Sequence, residues 1–402
     1  MESNRDLWIL NFSCLIKESS LLSLERTSLN MIYLDYAAHT PVSDEVLQTF
    51  FDVSRDYIAN PNSPYKLGRE AAAKMEESTN HIAALLGVKE SEIIYTSGAT
   101  ESNNLAIKGI ASAYKRYGKH IITTYLEHSS VTGAITALQN QGYDVDFVPI
   151  LEDGLVDLNQ LKELIREDTI LVSICYVDSE IGLKQPIEEI SELLKDYPHC
   201  YFHVDATQAV GKVPISLNLI DLMTFTPHKF FGMNGSGILI KKENILLEPI
   251  IHGGISTTKF RSGTPVLPMA VAAEKALSTM LENLEYNYSY VTILNKQLRE
   301  GLEKYSNVCI NSTSNSIPYI LNISFKGINS GAFQEALEKH DIYVSTKSAC
   351  CAPNTASRPV YAITRDRKLA MSTLRISLSH QTTKEEIDTF LFVFDECLKE
   401  LG

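Results

Sequence analysis

Residues 92–125, EIIYTSGATESNNLAIKGIASAYKRYGKHIITTY, contain a strand, a helix and a second strand in succession. The runs EIIYTS (92–97) and HIITTY (120–125) have the apolar and β-branched content of buried strands. Between them, residues 101–117 have the pattern of an amphipathic helix. Two strands joined by a helix predict a parallel pair with a crossover connection, so this stretch indicates an α/β fold.

The same alternation continues to about residue 240. Amphipathic stretches at 129–141 and 157–166 separate further apolar runs. These strand candidates are DVDFVPI (144–150), TILVSICYV (169–177), YFHVDA (201–206), DLMTFT (221–226) and GILIKK (237–242). Together they predict a mostly parallel central sheet covered by helices.

The pattern changes after about residue 265. One long helix is predicted over 268–305, and a terminal helix over 383–400. Between them lie three strand candidates, VCINS (308–312), YILNISF (319–325) and IYVSTKS (342–348). This order predicts a smaller α+β domain that follows the large one.

The composition restricts the classes of partner. The 402 residues are 44% hydrophobic and 21% charged, with a formal net charge of -13 and no basic cluster. We therefore expect no direct binding of nucleic acid, although an acidic body suits a basic protein partner. The seven cysteines show neither a CxxC motif nor a Cys/His zinc spacing. This usage predicts a reducing cytoplasm and no metal site.

Residues 1–30 include the apolar run LWILNFSCLI. The run is too short to span a membrane, and its flanking charges do not fit a signal peptide. We expect a poorly ordered leader before Met31 and no membrane partner. A helix that packs on the surface or on a partner subunit is an equally good interpretation.

Polar residues that follow the predicted strands are candidates for chemistry, because parallel sheets bind ligands at the carboxyl ends of their strands. TSGATES (96–102) combines small residues with the start of a helix, which favours a phosphate. Gly98 and Thr100 fit a simple turn and helix cap equally well. His128 follows the strand 120–125 and could stack on a planar cofactor or move protons, although an isolated histidine is more often a capping or surface residue.

Asp205 ends the buried strand YFHVDA, where an ionised carboxylate is costly unless a cation or a firm donor faces it. The protonated ring nitrogen of pyridoxal phosphate is one such cation. Lys229 in TFTPHKFFG (224–232) lies in an apolar setting that would activate its amine toward an aldehyde, and Thr226 and His228 could add phosphate contacts. Taken alone, Asp205 fits a helix cap and Lys229 fits a lysine whose stem covers apolar surface.

The stretch KSACC (347–351) places two cysteines side by side. Neighbouring side chains of an extended segment point in opposite directions, so at most one of Cys350 and Cys351 is expected to face a given pocket.

The order of TSGATESNNLAIKG, EH, EIG, HVDATQAVGK, HK, RSGT, SAC and LRISL resembles a cysteine desulfurase of the class V aminotransferase fold, from about Met31 to the C-terminus. The resemblance implies a fold type I enzyme that depends on pyridoxal 5'-phosphate. MIYLDYAAHTP resembles the family's N-terminal strand, which packs with the small domain. We therefore expect a large domain over 45–265 and a small domain formed by 31–44 and 266–402.

The resemblance also implies roles for individual residues. Positions that match cofactor contacts are Ala99, Thr100, His128, Ser179, Asp205, Gln208, Thr226, His228, Lys229 and Thr264. Lys229 resembles the lysine that bonds to the cofactor aldehyde, and His128 resembles the histidine that stacks on its ring. Asp205 and Gln208 resemble the partners of the pyridine nitrogen and the phenolic oxygen. The phosphate-loop positions are Ala99, Thr100, Thr226 and His228.

Three further matches concern the second subunit, the substrate and the nucleophile. Thr264 in RSGT is similar to a threonine that reaches the phosphate from the second subunit, which implies a homodimer. Arg375 in LRISL resembles the arginine that grips the substrate carboxylate, and its alternative is a structural salt bridge. Cys350 matches the family nucleophile, and Cys351 is an extra thiol.

The implied reaction converts L-cysteine to L-alanine and leaves a persulfide on Cys350. The long segment between Cys350 and Arg375 resembles that of the group I enzymes, which supply iron–sulfur scaffolds or tRNA-thiolating proteins. We expect this segment to carry Cys350 from the cofactor to such an acceptor.

Several positions depart from the family pattern. Ser179 stands where an asparagine normally contacts cofactor and substrate, and it has a shorter reach. Tyr65 replaces a histidine, and His39 replaces a threonine. Lys347 precedes the cysteines, where it either stabilises the Cys350 thiolate or is simply a solvated lysine.

Other functions are compatible with the same motifs. Another class V activity, such as a selenocysteine lyase or a β-lyase, would use Lys229 and Asp205 without needing Cys350 as nucleophile. A noncatalytic scaffold would keep the fold and the dimer and would bind sulfur-carrier partners. An iron–sulfur cluster on Cys350 and Cys351 would need thiolates from a partner, because two ligands are too few.

Overall fold

The computed structural model describes residues 31–254, 256, 258–347 and 355–401. The predicted leader (1–30) and both Cys350 and Cys351 lie outside the described residues. The described strands are β1 (Ile32–Tyr33), β2 (Ile93–Thr96), β3 (His120–Thr123), β4 (Asp144–Phe147), β5 (Thr169–Cys175), β6 (Tyr201–Asp205), β7 (Leu222–Phe225), β8 (Gly237–Lys241), β9 (Val308–Ile310), β10 (Ile320–Phe325), β11 (Ile342–Tyr343) and β12 (Thr373–Ser377).

Helices connect most of these strands. The first six are α1 (Asp44–Asp56), α2 (Lys66–Leu86), α3 (Ala99–Tyr114), α4 (Ser129–Gln139), α5 (Leu158–Leu164) and α6 (Ile187–Leu194). The described residues also form α7 (Leu267–Glu282), α8 (Leu284–Leu302), α9 (Ser330–Glu338), α10 (Arg358–Thr364), α11 (Arg367–Met371) and α12 (Lys384–Leu401).

The central sheet has seven strands in the order β2-β8-β7-β6-β5-β3-β4. Only β8 runs antiparallel to its neighbours, so β2, β3, β5, β6 and β7 all end at the same edge. Strand β5 is buried along its whole length, as expected for a strand covered on both faces. The mostly parallel α/β sheet predicted from the sequence is confirmed.

A second sheet pairs β12, β10 and β9 in antiparallel order. Strand β1 pairs in parallel with β11, with Ile32 opposite Ile342. The N-terminal strand thus lies beside the C-terminal part of the chain. The grouping of 31–44 with 266–402 into one domain stays a prediction.

The long helix predicted over 268–305 is wrong in one respect, because α7 and α8 are separate helices that meet at Asn283. The side chain of Asn283 donates from Nδ2 to the carbonyl of Thr279 (2.9 Å). Asparagine side chains compete with the backbone for such bonds, which favours a helix end over a helix interior. The apolar periodicity continues across this break and therefore does not reveal it.

Candidate active site

A cavity of about 370 Å³ lies at the edge where the parallel strands end. It brings together the predicted site residues Ala99, Thr100, His128, Ser179, Asp205, Gln208, Thr226, His228, Lys229 and Arg375. Asp205 is the last residue of β6, and the other eight of the first nine follow the end of β2, β3, β5, β6 or β7. Arg375 comes from β12 of the second sheet, so the cavity lies between the two sheets.

The N-terminus of α3 forms one wall of the cavity. Gly98 is its N-cap residue and supplies no side-chain cap, so the first N–H groups of the helix are open to an anion. Strand β8 approaches this turn so closely that a Cβ on Gly237 would lie 2.6 Å from the Cα of Gly98. Glu101 in the first turn pairs with Arg261 (2.9 Å), which offsets the negative charge beside the anion position.

Asp205 is 5% exposed at the end of β6. Its Oδ2 accepts a hydrogen bond from Asn103 Nδ2 (2.8 Å), and its Oδ1 accepts one from the backbone N–H of Thr207 (3.0 Å). Among the described residues, no lysine or arginine forms a salt bridge with Asp205. This buried carboxylate therefore faces the cavity with neutral donors behind it, and it favours a cationic group in the cavity.

Lys229 lies in a short 3-10 turn, Pro227–Lys229, after β7. Its Nζ donates to the carbonyls of Ala37 (3.0 Å) and Ala38 (2.6 Å). Both carbonyls belong to the segment that follows β1. The amine is therefore held at the cavity wall by the N-terminal part of the chain and is not extended into solvent.

Thr226 and His228, which lie close to Lys229 in the sequence, are the second set of residues that could contact a phosphate. The hydroxyl of Thr226 donates to the carbonyl of Ser236 (2.7 Å), and its oxygen lies 2.9 Å from His228 Nδ1. Burial and the nearby Lys229 charge lower the pKa of His228 to about 3. His39 stacks on His228 with ring centroids 5.6 Å apart. An anion in the cavity would oppose these causes and favour protonation of His228.

Gln208 is held by a buried lysine that the sequence analysis did not single out. Lys212 Nζ donates to Gln208 Oε1 (2.6 Å), and Gln208 Nε2 donates to the carbonyl of Ala37 (2.8 Å). Burial lowers the pKa of Lys212 to about 7. The amide of Gln208 therefore presents its N–H side toward the cavity wall. Lys212 in QAVGK lies one helical turn after Gln208, a spacing that could have indicated this contact.

Arg375 is 1% exposed and makes the salt bridge that was the alternative interpretation. Its Nη2 donates to Asp35 Oδ1 (2.8 Å), and its Nη1 donates to the carbonyl of Ser179 (2.8 Å). Its Nε is buried and has no hydrogen-bond partner among the described residues. Because a guanidinium has five N–H donors, these bonds orient the group and leave donors for a carboxylate.

Glu127 and Cys175 form a buried pair beside the cavity, which Cys175 lines. Glu127 Oε1 accepts from the hydroxyl of Thr124 (2.8 Å) and from the backbone N–H of Cys175 (3.0 Å), while Oε2 has no partner among the described residues. Burial raises the pKa of Glu127 to about 8. Burial also raises the pKa of the Cys175 thiol, so Cys175 is a poor nucleophile.

One predicted site residue, Thr264, does not line this cavity. Thr264 is exposed and lines a neighbouring cavity of about 120 Å³ together with Arg261. Cys350 lies outside the described residues. Lys347, which precedes it, donates from Nζ to the carbonyl (3.0 Å) and hydroxyl (2.8 Å) of Thr355.

The residues of the cavity fit pyridoxal 5'-phosphate. A buried carboxylate that has no lysine or arginine partner among the described side chains suits the pyridinium nitrogen, and an open helix N-terminus suits the phosphate. A lysine amine at the cavity wall suits the aldehyde. Within the described part of the chain, no group of three or more His, Cys, Asp or Glu side chains could hold a metal ion. None of the described helices has the length and apolar character needed to cross a membrane.

The chain matches the family model "Aminotransferase class-V" over residues 32–390. It is 40% identical to the "NifS/IcsS protein homolog" of Lactobacillus delbrueckii subsp. bulgaricus, over 91% of this chain and 97% of the relative. It is 36% identical to "Cysteine desulfurase IscS" of Dictyoglomus turgidum, over 92% of this chain and 95% of the relative. A solved structure named "NIFS-LIKE PROTEIN" superposes with a TM-score of 0.87 at 36% identity, over 92% of this chain and all of that one.

Proposed function

The chain belongs to the aminotransferase class-V family and is a pyridoxal phosphate-dependent cysteine desulfurase, and we propose that Cys350 receives the sulfur that it removes from L-cysteine. The observation that supports this proposal most is the meeting of Lys229, Asp205 and Arg375 at one cavity. These three side chains offer an amine, a buried carboxylate and a buried guanidinium, which are complementary to the cofactor aldehyde, the pyridinium and the substrate carboxylate.

When bound, the cofactor supplies an electron sink that weakens the bonds around the substrate α-carbon. We assign Lys229 to its aldehyde, Asp205 to its ring nitrogen and Gln208 to its phenolic oxygen. The phosphate is assigned to Ala99, Thr100, Thr226 and His228, and the ring face to His128. Asp205 has no salt-bridge partner among the described side chains, which supports its assignment to a cation.

Arg375 orients the substrate by binding the substrate carboxylate. The guanidinium of Arg375 is held in position by Asp35 and by the carbonyl of Ser179, which leaves Nε as a buried donor without a partner in the described chain. Ser179 lines the cavity, where its hydroxyl takes the place of the longer amide expected for the family. We propose that both residues contact L-cysteine.

The sulfur step is a displacement at the substrate sulfur. The Cys350 thiolate attacks, an S–S bond forms and the substrate C–S bond breaks. The electron pair of that bond stays with carbon, which takes up a proton and leaves as the methyl group of L-alanine. His128, which lines the cavity, is proposed to move protons in this sequence.

The experiment that tests the proposal asks which thiol gains a sulfur atom. The cofactor-loaded enzyme is incubated with L-cysteine, and each cysteine peptide is weighed by mass spectrometry. We expect one added sulfur on Cys350 in the wild type and in Cys351→Ser. Cys350→Ser should abolish sulfide release in the presence of a reductant while it keeps the visible absorbance of the bound cofactor.

Two other results would point elsewhere. Full sulfide release by Cys350→Ser would indicate a selenocysteine lyase or β-lyase type of reaction. A purified chain that gains no cofactor absorbance after pyridoxal phosphate is added would indicate a scaffold. Lys229→Ala serves as the control for covalent binding of the cofactor.

We further propose a homodimer that passes sulfur to an iron–sulfur scaffold or a tRNA-thiolating protein in the cytoplasm. Thr264 is exposed and outside the cavity of its own chain, which is compatible with a contact to the phosphate of a second copy. The scattered cysteines support a reducing compartment.

A further inference from the structure

A chain of hydrogen bonds joins Asp205 to His128 through two side chains to which the proposed reaction assigns no role. Asn103 Nδ2 donates one N–H to Asp205 Oδ2 (2.8 Å) and the other to Ser130 Oγ (2.9 Å). Ser130 Oγ lies 2.8 Å from His128 Nδ1. Asn103 is fully buried and Ser130 is 7% exposed, so bulk water does not compete for these bonds.

The direction of each bond follows from the groups involved. An amide nitrogen only donates, so the Ser130 oxygen accepts from Asn103 and its own proton remains available for His128 Nδ1. The backbone N–H of Ser130 also points at Nδ1, at 3.2 Å. Since an N–H can only donate, Nδ1 is an acceptor and carries no proton in the neutral ring.

The amide orientation of Asn103 is fixed by its neighbours. The reverse orientation would place Oδ1 against the Asp205 carboxylate, where two acceptors repel. In the observed orientation Oδ1 is buried and has no partner among the described residues. An unsatisfied buried carbonyl destabilises the folded state, so packing alone does not favour an asparagine here. What asparagine supplies at this position is two N–H donors, one for Asp205 and one for Ser130.

We infer that Asn103 and Ser130 are positioning residues that hold the neutral ring of His128 as the Nε2–H tautomer. The inference rests on the proposed function for what His128 contacts. Nε2 has no hydrogen-bond partner in the described part of the chain, so the proton is held on the nitrogen that is available to a reactant. In this state His128 donates a proton at Nε2, and it accepts one at Nδ1 only by breaking its bonds to Ser130.

The tautomer can be read directly by nitrogen NMR of holoenzyme whose histidine rings carry ¹⁵N, at an alkaline pH where imidazole is neutral. The His128 signal is identified by its loss in His128→Gln. We expect the wild type to show the Nε2–H form only. Asn103→Asp keeps the shape, and the oxygen that faces Asp205 would share one proton with that carboxylate, because two buried carboxylates at this distance do not both ionise. The other oxygen of the new carboxyl is an acceptor, so Ser130 would donate to it and Nδ1 would have to donate to Ser130. The Nδ1–H form should then appear beside the Nε2–H form, since the backbone N–H of Ser130 remains and still favours an unprotonated Nδ1.

Ser130→Ala removes the hydroxyl and should let the Nδ1–H form appear beside the Nε2–H form. The matched control is Ser129→Ala, one residue earlier in α4, because its hydroxyl makes no hydrogen bond among the described residues. This control should keep the wild-type signal. Ser130→Thr keeps the hydroxyl and should restore the single tautomer.

A wild type that is mainly Nδ1–H, or an Asn103→Asp holoenzyme with an unchanged tautomer, would overturn the inference. If Asn103→Asp does not fold, an unchanged single tautomer in Ser130→Ala overturns it. The test is independent of turnover. The expected tautomers in a chain that releases no sulfide from L-cysteine would contradict the proposed function and support the inference.

Discussion

At the residue scale, the side chains of the site divide into those that can be predicted from sequence and those that cannot. Lys229 and Asp205 are predictable because one follows β7 and the other ends β6, and the ends of these strands must lie at the ligand-binding edge of a parallel sheet. Asp35 is not predictable as a site residue, because its partner Arg375 is 340 positions away and no local pattern joins the two residues. Asn103 was missed for a similar reason, since it lies within a helix and its partners come from two other elements.

Glu127 gives a prediction about pH at this scale. Burial raises its pKa from 4.5 to about 8, so the folded chain binds more protons than the unfolded chain between these values. The stability contributed by the protonated form is present below 4.5 and is lost as the pH rises through about 8. Glu127→Gln cannot ionise, so it should be more stable than the wild type above about 8, by on the order of a few kcal/mol.

Denaturant unfolding of both proteins across this range measures the difference. The difference should be small near 4.5 and should stop growing above about 8. The control is Glu152→Gln, an exposed glutamate whose replacement should leave stability unchanged at every pH. A difference between Glu127→Gln and the wild type that does not depend on pH would show that Glu127 ionises normally in the folded chain.

At the element scale, the strands of the central sheet lie within the predicted apolar runs, because such runs define buried strands. The run IYVSTKS (342–348) predicts a longer strand than β11, which covers only Ile342–Tyr343. Helix ends depended on single side chains, as Asn283 shows. Helix α10 begins a few residues after Cys350 and was not predicted. Ser357 is its N-cap and accepts from the N–H of Val360 (3.2 Å). Its hydroxyl donates to the buried carboxylate of Glu180 (2.6 Å), so one residue fixes the downstream end of the segment that carries Cys350.

Ser357→Ala should therefore destabilise the chain by about 2 to 4 kcal/mol, because it removes a helix cap and a buried hydrogen bond to a carboxylate. Ser357→Thr keeps the hydroxyl and should lose much less. Thermal or denaturant unfolding measures both. Equal stability of Ser357→Ala and the wild type would mean that the cap and the bond to Glu180 contribute nothing.

At the scale of the whole molecule, the exposed apolar surface supports the proposed homodimer. Ile58 is 81% exposed and Leu67 is 52% exposed, and both line one surface recess. Large exposed apolar side chains that lie together indicate an interface. They lie at the end of α1 and the start of α2, and the sequence pattern did not reveal them because exposure is a property of the assembled fold.

Replacing Ile58 and Leu67 together by aspartate should convert the proposed dimer to a monomer, since each subunit would have to bury two charges in the interface. Light scattering measures the mass, and the visible absorbance measures how much cofactor is retained. Phe392→Asp on α12 is the control, because Phe392 is also exposed (65%) but does not line this recess. A double variant that stays dimeric would place the interface elsewhere, and a monomeric wild type would remove the proposal.

The pairing of Asp35 with Arg375 also bears on how the protein is made. The ribosome releases Asp35 and the carbonyls that hold Lys229 long before it adds Arg375, 340 positions later. All seven strands of the central sheet are synthesised before the arginine to which we assign the substrate carboxylate. The cavity therefore cannot be completed before β12, which contributes Arg375 to its lining, has been synthesised.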